Sequence, residues 1–261
     1  MVDQPSIDAF VAFAHTLADA AAEVTMPWFR ADAAIENKRE ADFDPVTVAD
    51  QDAEAAMRAL IEATYPDHGI LGEEHGHKPA GDSGHMWVLD PIDGTRSFIG
   101  GFPTWGTLIA LHDGSKPIVG IMDQPFTGER FVGSPSGVVM GDRELKVRDC
   151  ATLADAVLYS TTPDMFKGDY ETRAFGDVEA AVKLRRFGGD CYAYAMLAMG
   201  QLDLVVESSM QAYDIQALIP IVEGAGGIVT TWDGGPADNG GRLIAAGDRR
   251  VYDEAMALLQ P

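Results

Sequence analysis

Residues 87–98, WVLDPIDGTRSF, set Asp90 and Asp93 three positions apart at the end of an apolar run, with Gly94 and Thr95 directly behind. Two carboxylates packed so closely in apolar surroundings repel one another and lose hydration, so a cation is expected between them. Other acids sit in comparable places: Asp50 opens a helix, Glu73 and Glu74 close a short apolar strand, and Asp214 opens a later helix. Oxygen donors of this kind suit hard cations, and magnesium is typically held by a few carboxylates while it takes substrate phosphate oxygens. The Ile92 carbonyl lies between the two aspartates and adds a further oxygen for a pair of ions. Gly94 permits close backbone approach, and amides at such a turn bind anions. The Thr95 hydroxyl is placed to orient a water and pass its proton to a carboxylate such as Asp50. Alone, a DxxDG stretch also reads as a turn or a calcium loop; the wider set of acids favours catalysis.

Working outward, Ile7, Phe10, Val11, Ala14, Leu17, Ala18 and Ala21 follow helical spacing and predict an amphipathic helix over 6–30. A polar loop follows over 36–44. A second helix is expected over 47–64, opened by a capping pair of Thr47 and Asp50 and ended by Pro66. The runs GILGEE and MWVLD read as strands on either side of HGHKPAGDSGH. His75, His77 and His85 in that segment are read as a mobile, solvated loop, because neither cysteines nor helical spacing supports a metal cluster. His15, alone on the first helix, receives no role. TLIALHDG, PIVGIMDQP and ERFVG continue at hairpin spacing and predict an antiparallel sheet. From ADAVLYSTT onward strands and helices alternate, which predicts a second, α/β half. The division is placed at 145, giving an α+β half over 1–145 and an α/β half over 146–261.

Composition narrows the partners. Of 261 residues 41 are acidic and 19 are lysine or arginine, and the net charge of −22 speaks against nucleic acid or an anionic membrane surface. No apolar run is long enough to cross a bilayer, and the N-terminal residues lack the order of a signal peptide, so a cytoplasmic location is expected. Cys150 and Cys191 are expected as free thiols, Cys191 buried.

The segments DPVTVADQDAE, GEEHG, WVLDPIDGTRSF and AYDIQALIPIVEGAGG, in this order and at these intervals, resemble the inositol monophosphatase family of magnesium-dependent, lithium-sensitive phosphatases. The resemblance covers nearly the whole chain. It implies a layered αβαβα sandwich, two or three magnesium ions, a small phosphorylated metabolite as substrate, and a homodimer. It implies Glu73, Asp90, the Ile92 carbonyl, Asp93 and Asp214 as metal ligands. It also implies Asp50 and Thr95, with Glu73, as the groups that activate water, and the Gly94 and Thr95 amides as phosphate contacts. Tyr213 stands where the family often has tryptophan, and a change of packing alone is expected there.

The reaction implied is hydrolysis of a phosphate monoester without a covalent intermediate. Asp190 and Glu207 fall where the family contacts the remainder of its substrate, with Arg186 able to pair with Asp190 or reach the phosphate. Two acids suit an ester carrying an amine or imidazolium better than a neutral polyol. The wording of SFIGGFPTWGTLIALHDGSKPIVGIMDQPFTGERFVG, TTPDMF and GGDCYAYAMLAMGQLDLVVES is more similar to the histidinol-phosphatase branch, which implies histidinol phosphate and histidine biosynthesis. The alternatives are an inositol monophosphatase or broad-specificity sugar phosphatase and, in a different class, a catalytically idle metal-binding module. Bisphosphate substrates are disfavoured, since no basic cluster stands ready for a second phosphate.

Overall fold

The computed structural model describes residues 4–31, 35–37 and 45–260. The chain runs α1 (Gln4–Thr25), a short antiparallel pair β1 (Ile35–Asn37) and β2 (Pro45–Thr47), then α2 (Val48–Thr64). There follow β3 (Gly69–Gly72), β4 (Gly76–Lys78), β5 (Met86–Asp93), α3 (Thr95–Gly100), β6 (Gly106–His112), β7 (Pro117–Gln124), β8 (Glu129–Ser134), β9 (Gly137–Met140) and β10 (Arg143–Glu144). The remainder comprises β11 (Val157–Ser160), α4 (Gly168–Ala181), β12 (Leu184–Phe187), α5 (Asp190–Ala198), β13 (Leu204–Met210), α6 (Ala212–Ile215), α7 (Leu218–Gly224), β14 (Ile228–Thr231), β15 (Gly241–Ala246) and α8 (Arg249–Leu259). The first helix is shorter than its apolar pattern, ending five residues before Arg30, where the chain passes through turns at Met26–Arg30 that include Pro27. Of the polar loop expected over 36–44, Glu36 and Asn37 fall in β1, and 38–44 lie outside the described residues, as does the Thr47 side chain.

Five layers result. The eight-stranded sheet, in the order β10-β9-β8-β7-β6-β5-β3-β4, carries α1 and α2 on one face and α5 and α7 on the other. Beyond these helices lies a five-stranded sheet, β12-β11-β13-β15-β14, covered outside by α4 and α8. This is the layered αβαβα arrangement. The large sheet ends at Glu144 and the small one begins at Val157, yet the middle helices join them: Leu218 and Val222 share one buried cluster with Leu108 and Met122 of the first sheet and Val205 of the second.

HGHKPAGDSGH is only in part the solvated loop expected: His75 and His77 are exposed, but the segment is not all loop. Gly76–Lys78 pairs antiparallel with β3, and His85 stacks on His68 with ring centroids 5.1 Å apart. Trp87 Nε1 donates to His68 Nδ1 at 3.1 Å, so these rings fasten the start of β5 to the helical layer of Phe10 and Tyr65. Burial holds His68 neutral, with a pKa pulled down to about 4. The local sequence could not show this, because both imidazoles gain apolar cover from Phe10 of α1, far upstream in the chain.

Two pairings position the acids. The first is β3 with β5, the parallel pair in an otherwise antiparallel sheet, with Gly72 opposite Leu89. Glu73 N continues the ladder to the Leu89 carbonyl at 3.3 Å, which brings Glu73 to the end of β5 where Asp90 stands. The second is an irregularity between β5 and β6: Asp90 faces Leu108 and Asp93 faces Gly106, so three steps on one strand oppose two on the other. A bulge of this kind turns a residue that strict alternation would send to the opposite face. Asp93 therefore joins Asp90 on one side.

Candidate functional site

Strand β5 is buried from Trp87 to Ile92, covered by helices on both faces. Trp87 and Leu89 enter the core under α1 and α2, and Val88 enters the one around α5 and α7. Alternation sends Asp90 the way of Val88, towards α6. Helix α6 contacts β5 and carries Asp214 in its first turn, where the Asp214 carboxylate accepts from Gln211 N at 2.7 Å in a capping box. Carboxylate oxygens of Asp90, Asp93 and Asp214 thus lie within 4.8 Å of one another. Tyr213 packs partly buried against the middle core.

A second group adjoins the first. Asp50, in the first turn of α2, Glu73 and Glu74 likewise bring oxygens within 4.8 Å of one another. The two groups act on each other: Glu73 is the strongest nearby charge raising the Asp90 pKa, ahead of Asp93, Asp214 and Asp50. The acids expected as one constellation are therefore arranged as two neighbouring clusters, with Glu73 grouped with Asp50. The resemblance implies Glu73 alone of the two adjacent glutamates as a ligand, whereas the structure groups Glu74 with it. Strand β3 ends at Gly72, and both glutamates belong to the following turn. The doublet GEE was the available signal.

Among the described residues the electrostatics are those of unbalanced negative charge. Burial and the surrounding carboxylates push Asp90 well above the ordinary carboxylate range. Asp93 is raised by burial, Asp214 and Asp190, against the pull of Cys191 N donating to its Oδ2 at 2.8 Å. Asp214 is pushed up to about 6 by burial. Oδ1 of Asp90 is buried with no hydrogen-bond donor among the described residues. Buried acids of this sort are stabilised by protonation or by a cation. A set of hard oxygen donors with an orphaned buried atom fits a divalent metal.

Beside the clusters opens a cavity of about 350 Å³, lined by Asp93, Gly94, Thr95, Asp190, Glu207 and Asp214 among others. Gly94 has φ 80° and stands at the N-cap position, directly before α3. A Cβ there would lie 2.9 Å from that of Asp190, so glycine is required both by the left-handed backbone and by the approach of α5. Thr95 Oγ1 donates to the Ile92 carbonyl at 3.2 Å. Asp190, at the start of α5, accepts through Oδ2 from Ser97 Oγ at 2.5 Å and Thr104 Oγ1 at 3.2 Å. Burial raises the Asp190 pKa, while these donors and the nearby Arg96 oppose the rise. Glu207 is only 1% exposed and accepts from Thr161 N at 2.9 Å, Thr161 Oγ1 at 2.6 Å and Tyr194 Oη at 3.0 Å. Burial still pushes it up to about 7.

Arg186 is placed elsewhere. It lies on the exposed edge strand β12 and lines a neighbouring cavity of about 850 Å³ with Phe102, Tyr159, Leu184 and Phe187. The guanidinium at the acid-lined cavity belongs to Arg96, one residue past Thr95, which sequence reasoning passed over. Its signal was the position itself, the second residue of a helix whose start already carried two candidate phosphate contacts. His75, His77 and His85 join neither carboxylate group. Cys150 and Cys191 are buried free thiols. Among the described residues, no helix is long and apolar enough to cross a membrane.

The profile of the inositol monophosphatase family matches residues 6–260. A bifunctional phosphatase, IMPL2, of Arabidopsis thaliana, named as chloroplastic, is 42% identical over 97% of this chain and 76% of its own length. A histidinol-phosphatase of Streptomyces coelicolor is 35% identical over 94% of this chain and 95% of its own. Among solved structures, an inositol monophosphatase from Zymomonas mobilis superposes with a TM-score of 0.86 at 42% identity, covering 97% of this chain and 98% of that one.

Proposed function

Because the chain belongs to the inositol monophosphatase family, a family of phosphatases, we propose that its substrate is histidinol phosphate, cleaved as a step of histidine biosynthesis. The observation that carries this reading is the pair of buried acids, Asp190 and Glu207, lining the same cavity as Asp93, Gly94, Thr95 and Asp214. A neutral polyol offers such acids no opposite charge. The imidazole and ammonium of histidinol do, and a cation reaching Glu207 would favour the ionised form that burial opposes.

In this reading Asp90, Asp93 and Asp214 would hold magnesium, with Glu73, the neighbouring Glu74 and the Ile92 carbonyl as further donors for a second or third ion. Magnesium, when bound, supplies neutralising charge at the phosphoryl oxygens and lowers the pKa of water. The Gly94 and Thr95 amides and the Arg96 guanidinium receive the phosphate. Thr95 orients the attacking water, and its proton passes to Asp50, with Glu73 beside it. The water oxygen joins phosphorus as the ester P–O bond breaks, and the departing alkoxide takes up a proton equivalent to the one Asp50 received, so that water and ester give alcohol and phosphate. Arg186 has no direct part. Asp190 is held from behind by Ser97 and Thr104, which both bind Oδ2, so its carboxylate meets the substrate amine in a fixed orientation. The proposal includes a cytoplasmic homodimer. Its support is the exposure of Phe102, Leu184 and Phe187 around one cavity, at 67%, 50% and 36%, and light scattering giving a monomer mass would remove it.

The alternative substrate class is inositol monophosphate or a range of sugar phosphates, favoured by the solved structure at the same 42% identity. Initial rates on histidinol phosphate and inositol phosphate, each with magnesium and with EDTA, separate the readings. A higher kcat/KM for histidinol phosphate supports the first. A preference for inositol phosphate overturns it, and no phosphate release from either would leave an idle metal-binding module.

A further inference from the structure

Glu54 lies one helical turn beyond Asp50 on α2, and its side chain is fully buried. A buried carboxylate needs donors on both oxygens. Glu54 finds them in the turn that carries the candidate ligands: Oε2 accepts from Glu74 N at 2.7 Å, and Oε1 accepts from His75 N at 3.1 Å. Arg58, one turn further on, balances the charge through Nε at 2.6 Å from Oε1. The same arginine donates to the Gly76 carbonyl, and the His75 ring meets the Gln51 carbonyl at 3.0 Å. Gln51, Glu54 and Arg58 fall on one face of α2, so the turn from Glu73 to Gly76 is tied along the helix whose first turn presents Asp50. Gly72 completes the fit, because a Cβ there would overlap the Glu54 carboxylate.

We propose that Glu54 is a positioning residue for metal binding: through the Glu74 and His75 amides it holds the Glu73-Glu74 turn against Asp50, assembling the second carboxylate cluster before any ion arrives. The proposal rests on the metal-dependent reading above, but not on which ester is hydrolysed. Three acids brought within 4.8 Å repel one another, and an untethered turn would relax by swinging Glu73 and Glu74 apart. Glu54 touches neither the cavity nor the reacting atoms. Its contribution is to keep the ligands preassembled, so that the ion does not have to order the turn itself.

The test uses magnesium alone, titrated into substrate-free protein and read by calorimetry. Glu54→Gln keeps the size of the side chain but presents an NH2 where one amide needs an acceptor, and should weaken magnesium binding about 10–100-fold, the range found for residues that orient metal ligands. Its KM for the ester at saturating magnesium should stay within about twofold of wild type, because the substrate cavity is built by other elements. Gly72→Ala, which leaves every charge in place and displaces the Glu54 carboxylate, should weaken binding in the same direction and serves if Glu54→Gln does not fold. Wild-type magnesium affinity in a folded Glu54→Gln or Gly72→Ala protein would overturn the positioning role. So would a raised KM with unchanged magnesium binding. Wild-type protein that binds no magnesium would overturn this role together with the metal reading, whereas a changed substrate preference with these binding results intact would touch the substrate alone.

Discussion

Two buried aspartates, Asp203 and Asp90, are each 1% exposed, and their surroundings differ in kind. Asp203 accepts from Nε and Nη2 of Arg148, at 2.7 and 2.5 Å, and from Val157 N at 2.7 Å. It closes its own charge and ties β11 and β13 to the strap of chain between the sheets. Among the described residues Asp90 has no such guanidinium: its near neighbours are Glu73, Asp93, Asp214 and Asp50, and its Oδ1 lacks a donor. Burial alone therefore does not mark a functional acid. What marks it is burial that the groups of the described residues leave unbalanced.

The largest expected break in that contrast is Asp90→Asn. Turnover should fall by about 10³-fold or more, since an essential oxygen donor is lost. The melting temperature of the metal-free protein at pH 8 should rise, because a buried, repelled charge is removed. Asp203→Asn should do the reverse, retaining turnover per folded molecule and losing about 1–3 kcal/mol of stability as Arg148 loses its counter-charge. Thermal melts and phosphate release on both variants decide it, and a destabilised metal-free Asp90→Asn would contradict the account.

Magnesium sharpens the same comparison. At 100 times its dissociation constant a ligand that binds only the folded state adds about 2.7 kcal/mol. That stabilisation should appear in wild type and Asp203→Asn, and should shrink in Asp90→Asn.

Glu207 tests the unbalanced region through pH. Its pKa in the fold is about 7, against an ordinary 4.5. As pH rises from 4.5 to 7 the unfolded chain gives up this proton first, so the metal-free folded state loses stability across that window and keeps the loss above it. Glu207→Gln should therefore stabilise the protein at pH 8, by an amount on the order of 2–3 kcal/mol, and make no difference below pH 4.5. Melting curves at pH 4 and pH 8 that show equal gains would refute the assignment.

The smallest effects concern Asp190. Asp190→Ala should raise KM for histidinol phosphate by about tenfold while leaving glycerol phosphate nearly unchanged, and Thr104→Val, which removes one of two donors to Oδ2, by about three- to fivefold. Equal effects on the two esters would remove the proposed amine contact.

Residue types and spacing determined much of this protein. The DPID segment announced carboxylates that need a cation, and helical and strand periods located most of the elements, while the layered fold followed from the family resemblance that the four motifs carry. These features are local, arising from side-chain chemistry and from periods of 3.6 and 2. Only the tertiary structure decided how the acids divide. The parallel pairing of β3 with β5 brings Glu73 beside Asp90, and the β5–β6 bulge turns Asp93 to the same side. The turn held by α2 admits Glu74, and the edge position of β12 takes Arg186 away while α3 presents Arg96. Each of these depends on contacts between segments far apart in the chain, and the direction a side chain faces there is set by the partner strand or helix, which no local pattern encodes.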